Sequence, residues 1–110
     1  MDFTIEYYSE AVQDEILNLL DSLAARFIVL TRRITAVGPN LGPPHTDAFG
    51  DGLFELRLKG QDGIARVFFC TLVGRRVVIL HSFVKKSGRT PLREREIAQT
   101  RMKEFKHANT

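Results

Sequence analysis

Four basic side chains on or at the end of three predicted strands are the part of this sequence best suited to chemistry. Arg57 and Arg66 lie within the first two strands, and the adjacent Lys85 and Lys86 stand at the end of the third. A guanidinium group binds two phosphate oxygens at once, and lysine adds a compact positive charge. Neighbouring cations also lower the pKa of a lysine, so that a larger fraction of its amine is unprotonated at neutral pH and able to act as a base. The set indicates cationic phosphate chemistry.

Each of these residues also has a purely structural explanation. Arg66 lies between Ala65 and Val67 in an apolar strand, so it extends to the sheet edge, pairs with an acid such as Glu55, or faces a ligand. An ion pair with Glu55 would equally explain Arg57. The two lysines are also typical of a hydrated strand end. Because adjacent strand residues point to opposite faces, we expect only one lysine to reach a site.

The histidines and the single cysteine carry less information. His81 shares a strand face with Phe83 and Lys85, and a lone histidine there is typical of a packed, hydrogen-bonded residue; a role as base is the reserve interpretation. Cys70 allows no internal disulfide and is expected in the core. The sequence has no metal-ligand spacing, phosphate-binding glycine loop or nucleophile elbow. We therefore predict neither a metal nor any other cofactor.

Length and composition predict one globular domain over residues 1–110. The chain is 44% apolar and 26% charged, as ordinary globular proteins are. The beginning, "MDFTIEYYSE", lacks the apolar stretch of a signal peptide, and no apolar run approaches the length of a membrane span. With one cysteine, these features predict a soluble cytoplasmic protein that does not associate with membranes.

Charge is distributed unevenly along the chain. Residues 1–55 hold three Lys or Arg and nine Asp or Glu, whereas residues 56–110 hold thirteen and four. A basic half attracts a phosphate backbone, and an acidic half limits non-specific binding. The alternative is a hydrated surface on which both signs mix once the chain folds.

Hydrophobic periodicity predicts an α+β fold. It predicts strands over 3–8, 53–59, 64–73 and 76–85, a helix from the Ser9 cap through Leu23, a helix over about 25–37, a loop over 38–52, and a last helix with Thr90 as its cap. The order is β-α-α-β-β-β-α. Short connections make the last three strands an antiparallel meander, and the N-terminal helical hairpin must cover one face of an antiparallel sheet. We expect the charged strand residues on the other face.

Three segments resemble the HigB-like branch of the RelE/ParE toxin superfamily. They are "GLFELRL" (52–58), "ARVFF" (65–69) and "VVILHSFVKKSGRTP" (77–91), which appear in the family's order and with family-like spacing. The resemblance implies a RelE/ParE-like fold and the toxin of a type II toxin–antitoxin pair. It also implies ribosome-dependent cleavage of mRNA without a metal, in which the 2′-OH attacks the phosphate and leaves a 2′,3′-cyclic phosphate.

The resemblance also implies functional residues, partners and alternatives. The expected catalytic residues are Arg66, Lys85, Lys86 and His81, and the expected RNA-binding residues are Arg57, Lys59, Arg89 and Phe83. The expected partners are the ribosome, mRNA and a cognate antitoxin with a helix-turn-helix. Two departures are Phe69, where relatives commonly carry a tyrosine, and Ser87, where they carry a threonine. Two other functions stay open: a non-enzymatic ParE-like inhibitor of DNA gyrase, and an inactive RNA- or ribosome-binding module.

Overall fold

Three helices and five strands form the part of the chain that the computed structural model describes, residues 2–85 and 90–108. In chain order they are β1 (Thr4–Tyr7), α1 (Glu10–Leu17), α2 (Asp21–Val37), β2 (Thr46–Gly50), β3 (Leu53–Gly60), β4 (Gly63–Leu72), β5 (Arg76–Val84) and α3 (Leu92–Ala108). The predicted α+β class is confirmed. The order is β-α-α-β-β-β-β-α, which has one strand more than predicted.

The strands join in one mixed sheet with the order β1-β5-β4-β3-β2. β3, β4 and β5 form the predicted antiparallel meander. At one edge, β1 pairs in parallel with β5, so the prediction of a purely antiparallel sheet is wrong there. No short turn links these two strands, and only a short turn forces neighbours to run antiparallel.

The additional strand, β2, lies inside the segment 38–52 that was predicted to be a loop. It pairs antiparallel with β3, with Thr46 opposite Leu56. Asp51 and Gly52 connect the two strands with φ angles of 55° and 82°. Positive φ at both residues is the conformation of a two-residue hairpin turn, for which Asp-Gly is a preferred sequence. The glycines and prolines around β2 concealed it, and the Asp-Gly pair was the available signal.

The helical hairpin begins and ends at the predicted caps but divides at a different point. The Ser9 hydroxyl accepts a hydrogen bond from the Val12 N–H at 3.2 Å, which confirms the first cap. α1 ends at Leu17, so Leu23, predicted for the first helix, belongs to α2. Gly38 ends α2 with a φ of 106° that favours glycine. Within the described residues, no helix has the length and apolar character needed to cross a membrane.

Each face of the sheet has its own apolar core. The buried residues on the hairpin side are Val12, Ile16, Leu23, Phe27, Leu30, Ile34, Leu56, Leu58, Ala65, Val67, Phe69, Val77 and Ile79. Those on the α3 side are Leu53, Phe68, Cys70, Val78, Leu80, Ala98 and Met102. The hairpin therefore covers one face, as predicted, and α3 covers part of the other. The charged strand residues must emerge where α3 leaves that second face open.

The beginning of α3 is tied directly to β3. The helix begins at Leu92, one residue later than expected from the Thr90 cap. The Thr90 hydroxyl donates to Glu55 Oε2 at 2.6 Å, so this side chain connects the beginning of the helix to the sheet. The buried positions Ala98 and Met102 confirm the predicted apolar stripe.

A bidentate ion pair holds the parallel edge of the sheet. Arg76 donates from Nε to Glu6 Oε2 at 2.6 Å and from Nη2 to Glu6 Oε1 at 2.8 Å. Glu6 belongs to β1 and Arg76 to β5, so the pair joins the two strands that no short turn connects. The hydrogen bond from Arg76 lowers the pKa of Glu6.

We expect Glu6→Gln to weaken this edge in a pH-dependent way. Because the pKa of Glu6 is lowered in the folded state, its ion pair stabilises the fold at neutral pH and stops doing so as the pH falls through that lowered pKa. The variant should be less stable than the wild type at neutral pH, with the difference vanishing in acid. Urea unfolding across pH measures this. Glu15→Gln, an exposed position on α1, is the control, and a pH-independent difference for Glu6→Gln would contradict the prediction.

Candidate functional site

Three of the predicted basic residues meet in one cavity. Arg57 of β3, Arg66 of β4 and Lys85, which follows β5, line a surface cavity of about 300 Å³. The two arginines are direct register partners across β3 and β4. Leu56 and Val67, which alternate with them, are buried under the hairpin. The expectation that the charged strand residues lie on the face opposite the hairpin is therefore confirmed for these three, and they share one concave site.

A buried carboxylate lies beneath the two arginines. Glu55 is 2% exposed, and its Oε1 lies 3.4 Å from Arg66 Nε and 3.7 Å from Arg57 Nε. Its Oε2 accepts the hydrogen bond from Thr90. The structural explanation of both arginines, an ion pair with Glu55, is thus confirmed. It does not exclude ligand binding, because the same arginines line the cavity.

Both arginines retain capacity to bind an anion. The Nε atoms of Arg57 and Arg66 are buried and make no hydrogen bond within the described residues, although both lie within ion-pair distance of Glu55. Arg57 Nη2 lies 3.2 Å from Asp47 Oδ2, a second acid that orients this guanidinium group. A guanidinium group has five N–H donors, so these carboxylate contacts leave donors for a ligand.

Burial and charge shift the pKa values of two cavity residues. Burial lowers the pKa of Arg66, Glu55 raises it, and Arg57 lowers it further. Burial also lowers the pKa of Lys85, with the charges of Arg66 and Arg57 acting in the same direction and Glu55 opposing them. Arginine stays charged in any case, whereas a lysine with a lowered pKa loses its proton more readily. This set therefore holds permanently charged arginines beside a lysine whose pKa is lowered.

Five further residues that line the cavity were not predicted as functional. They are Asp47 and Phe49 of β2, Thr90 before α3, and Leu92 and Arg95 of α3. The β2 residues were missed because the strand was missed. Arg95 is three positions before Ala98 on the predicted apolar stripe, and a basic residue on such a stripe was a usable signal. No sequence pattern singled out Leu92.

The lining is basic overall. Its charged side chains are the cations Arg57, Arg66, Lys85 and Arg95 and the acids Asp47 and Glu55. Both acids come from the acidic half of the sequence, so the two halves mix at this site rather than forming separate faces. Four cations and two carboxylates leave an excess of positive charge at neutral pH, which suits an anionic ligand.

Lys59 extends the basic surface beyond this cavity. It is exposed and lines a neighbouring cavity of about 340 Å³ together with Arg26 of α2. Arg57 and Arg66 line both cavities, so these two side chains form the boundary that the cavities share. The basic residues thus form a connected path that runs through both cavities.

His81 lies outside the cavity, within the contact between β5 and α3. It is 8% exposed, its Nε2 lies 3.0 Å from Glu94 Oε1, and its ring stacks on Phe83 with centroids 6.2 Å apart. Arg101 Nη1 lies 3.5 Å from His81 Nδ1. The interpretation of His81 as a packed, hydrogen-bonded residue is confirmed, and its reserve role as a base stays a prediction.

Of the remaining predicted residues, the structure describes Phe83 but not Lys86 or Arg89. Phe83 is half-buried opposite Arg66 in the register of β4 and β5, and it packs against the α3-side core. Lys86 and Arg89 lie outside the described residues, as does Ser87. No group of three or more His, Cys, Asp or Glu side chains in the described part of the chain is placed to hold a metal ion.

Phe69 is a core residue on the opposite face. It is completely buried on the hairpin side and stacks on Phe54 with ring centroids 5.2 Å apart. A tyrosine hydroxyl at this position would point away from the cavity. The absence of a phenol there therefore has no direct effect on the chemistry of the basic residues.

The comparison with protein families agrees with this arrangement. Residues 14–103 match the family described as "Phage derived protein Gp49-like (DUF891)", and this range contains every residue that lines the cavity. Among curated proteins, none matches the chain. The matched range covers most of the sequence, from α1 into α3. The chain therefore belongs to the Gp49-like family of phage-derived proteins, a family of RelE/ParE-like toxins.

Proposed function

We propose that this chain is the toxin of a type II toxin–antitoxin pair, in the HigB-like branch, and that it cleaves mRNA on the ribosome. One observation carries the proposal: a half-buried cavity holds Arg57 and Arg66 beside Lys85, a lysine whose pKa is lowered. Cleavage of a phosphodiester by a 2′-OH needs a cation to stabilise the charge on the phosphate and a base to remove the 2′ proton. The arginines supply the cation, and Lys85, with its lowered pKa, supplies the base.

The proposed reaction uses these residues in distinct roles. Lys85 Nζ accepts the proton of the 2′-OH, and the 2′-oxygen attacks the adjacent phosphorus. The bond from phosphorus to the 5′-oxygen breaks, leaving a 2′,3′-cyclic phosphate and, after protonation of the leaving oxygen, a 5′-OH. Arg66 binds the phosphate oxygens, whose negative charge increases in the transition state, and Arg57 supports it from the adjacent strand.

The other predicted residues belong to the same proposal with smaller roles. Lys59 binds a phosphate next to the scissile one, together with Arg26, which was not predicted from the sequence but lies on the same connected basic path. By sequence position, Lys86 is a second candidate for the acid or base, and Arg89 for RNA binding. Phe83 and His81 support the site from the adjacent strand. Residues 1–110 would act as one cytoplasmic toxin domain.

A protein of this type needs a partner that controls it. The Gp49-like family is of the toxin–antitoxin type and implies an antitoxin. We propose a helix-turn-helix antitoxin that either covers the basic cavity or adds bulk that keeps the complex out of the ribosome. Complementary charge at such an interface accelerates pairing, and the excess of cations at the cavity offers that charge.

Mapping RNA ends after expression in growing cells tests the function. The wild type should produce transcripts cut within translated regions, and Arg66→Lys should reduce cutting on the order of 100-fold, because the planar bidentate donor is lost while the charge beside Glu55 is kept. Arg32→Ala, an exposed arginine on α2, should cut normally. Full cutting by Arg66→Lys would remove Arg66 from the mechanism. DNA damage without cut transcripts would indicate the gyrase-directed alternative.

Substitution of Glu55 should destabilise the fold through the arginines that it leaves unpaired. Removing one member of a buried ion pair costs about 3–5 kcal/mol, so we expect Glu55→Gln to lose about 3 kcal/mol in urea unfolding. The double variant with Arg66→Gln should lose clearly less than the sum of the two single variants. Additive losses would show that the two side chains do not stabilise each other.

The pH dependence of cleavage should report on Lys85. If Lys85 acts as the base, single-turnover cleavage rises with pH as its amine loses the proton. Arg57→Gln removes one charge that lowers the pKa of Lys85, so the rise should move to higher pH. Lys59→Gln should weaken the binding of RNA and leave the pH profile of cleavage where it is in the wild type. An unmoved profile in Arg57→Gln would exclude Lys85 as the base.

A further inference from the structure

The wall of the cavity formed by Phe49, Leu92 and Arg95 takes no part in the proposed cleavage chemistry. We propose that this wall binds the nucleobase of the nucleotide whose phosphate lies at Arg66 and Lys85, and that it sets the base preference of the site. This inference rests on the proposed function for the position of the phosphate. It adds a recognition surface that β2 and the first turns of α3 create together.

Arg95 lies over the aromatic ring of Phe49. The guanidinium carbon of Arg95 lies 4.5 Å from the centroid of the Phe49 ring. The Phe49 ring also packs against Phe68 of the α3-side core, with centroids 5.9 Å apart. These contacts place the guanidinium group of Arg95 against a ring that is packed on the core. Arginine planes and aromatic rings are the surfaces on which proteins stack unpaired RNA bases.

Arg95 also has a donor that the protein leaves unused. Its Nε is buried and makes no hydrogen bond within the described residues. Because this atom has almost no accessible surface, a ligand acceptor at the cavity would instead bind the Nη donors of the same guanidinium group. The ring nitrogens and carbonyl oxygens of nucleobases are acceptors of this kind. The same side chain therefore offers both a stacking plane and a directional donor.

Leu92 supplies an apolar surface at the same wall. It is 70% exposed and lies at the beginning of α3. A single exposed leucine is ordinary on a protein surface, but this one lines a cavity that also contains several cations. A nucleotide joins an anionic phosphate to a base that has apolar faces. The cations suit the phosphate, and Leu92 and Phe49 offer apolar surface to the base.

The size of the cavity suits one nucleotide of a longer strand. Its volume of about 300 Å³ lies at the lower end of the range for pockets that enclose small ligands. A phosphate on Arg66 leaves the wall as the remaining lining surface for the attached base. Neighbouring nucleotides would instead follow the basic path towards Lys59, where the second cavity carries more positive charge.

Binding of two oligomers of equal length and charge tests the inference. One is a short RNA made uncleavable by 2′-O-methyl groups, and the other is the same backbone without bases; fluorescence anisotropy at low salt measures both affinities. Stacking of one base contributes about 1–3 kcal/mol, so we expect the wild type to bind the RNA on the order of tenfold more tightly. Equal affinities, or no binding of either oligomer, would overturn the inference.

Variants assign the preference to this wall. Leu92→Ser, at an exposed position that tolerates a polar residue, and Arg95→Lys, which keeps the charge, should each reduce the ratio of the two affinities at least threefold and leave binding of the base-free backbone unchanged. Val73→Ser, at a position 98% exposed, controls for loss of an apolar side chain. Arg66→Lys should weaken both oligomers equally. Equal weakening of both oligomers by Leu92→Ser and Arg95→Lys would overturn the inference.

Mapping cut sites separates this inference from the proposed cleavage. If the wild type cuts RNA, Leu92→Ser should change which bases flank the cuts, and an unchanged distribution would overturn the inference while the nuclease stands. If the wild type cuts nothing, a preference for the RNA over the base-free backbone that depends on Leu92 and Arg95 would support base recognition, and the proposed cleavage would fall.

Discussion

The buried Glu55 carboxylate is the constraint on which the site depends. A buried charge is costly unless it is paired and hydrogen-bonded, and Glu55 meets this requirement with Arg66, Arg57 and the Thr90 hydroxyl. These partners come from β3, β4 and the residues before α3. Satisfying one carboxylate therefore ties both guanidinium groups and the beginning of α3 to one another, and all of these partners line the cavity.

Partial burial distinguishes this basic cluster from a hydrated surface, because it lowers the pKa values of two of its members. α3 covers one part of the sheet face and leaves the residues near β2 and β3 open, so the cluster is half-buried rather than hydrated. Burial is the main cause of the lowered pKa values of Arg66 and Lys85. On an open sheet the same residues would form an ordinary hydrated surface. Residues of α3 line the same cavity as Lys85, so the helix that closes the α3-side core also borders this site.

Sequence periodicity was sufficient to predict the elements with strong patterns but not the strand pairing at the edges of the sheet. The meander and the hairpin follow from alternation and helical spacing, and they bring Arg57, Arg66 and Lys85 together. β1 and β2 are four and five residues long, which is too short for a pattern to decide their pairing. Phe49, Leu92 and Arg95 could not be predicted as a wall, because their proximity depends on how α3 docks on the sheet.

The carboxylates at this site also have consequences for binding. Without Glu55 and Asp47, the four cations that line the cavity would repel one another strongly, and the fold would carry that cost. With them, the repulsion is reduced but an excess of positive charge remains. Glu55 contacts both arginines and Asp47 contacts Arg57 from β2, so the carboxylates offset part of this repulsion within the fold. Their neutralisation of the cations is incomplete, and the remaining positive charge is what the proposed binding of a phosphate requires.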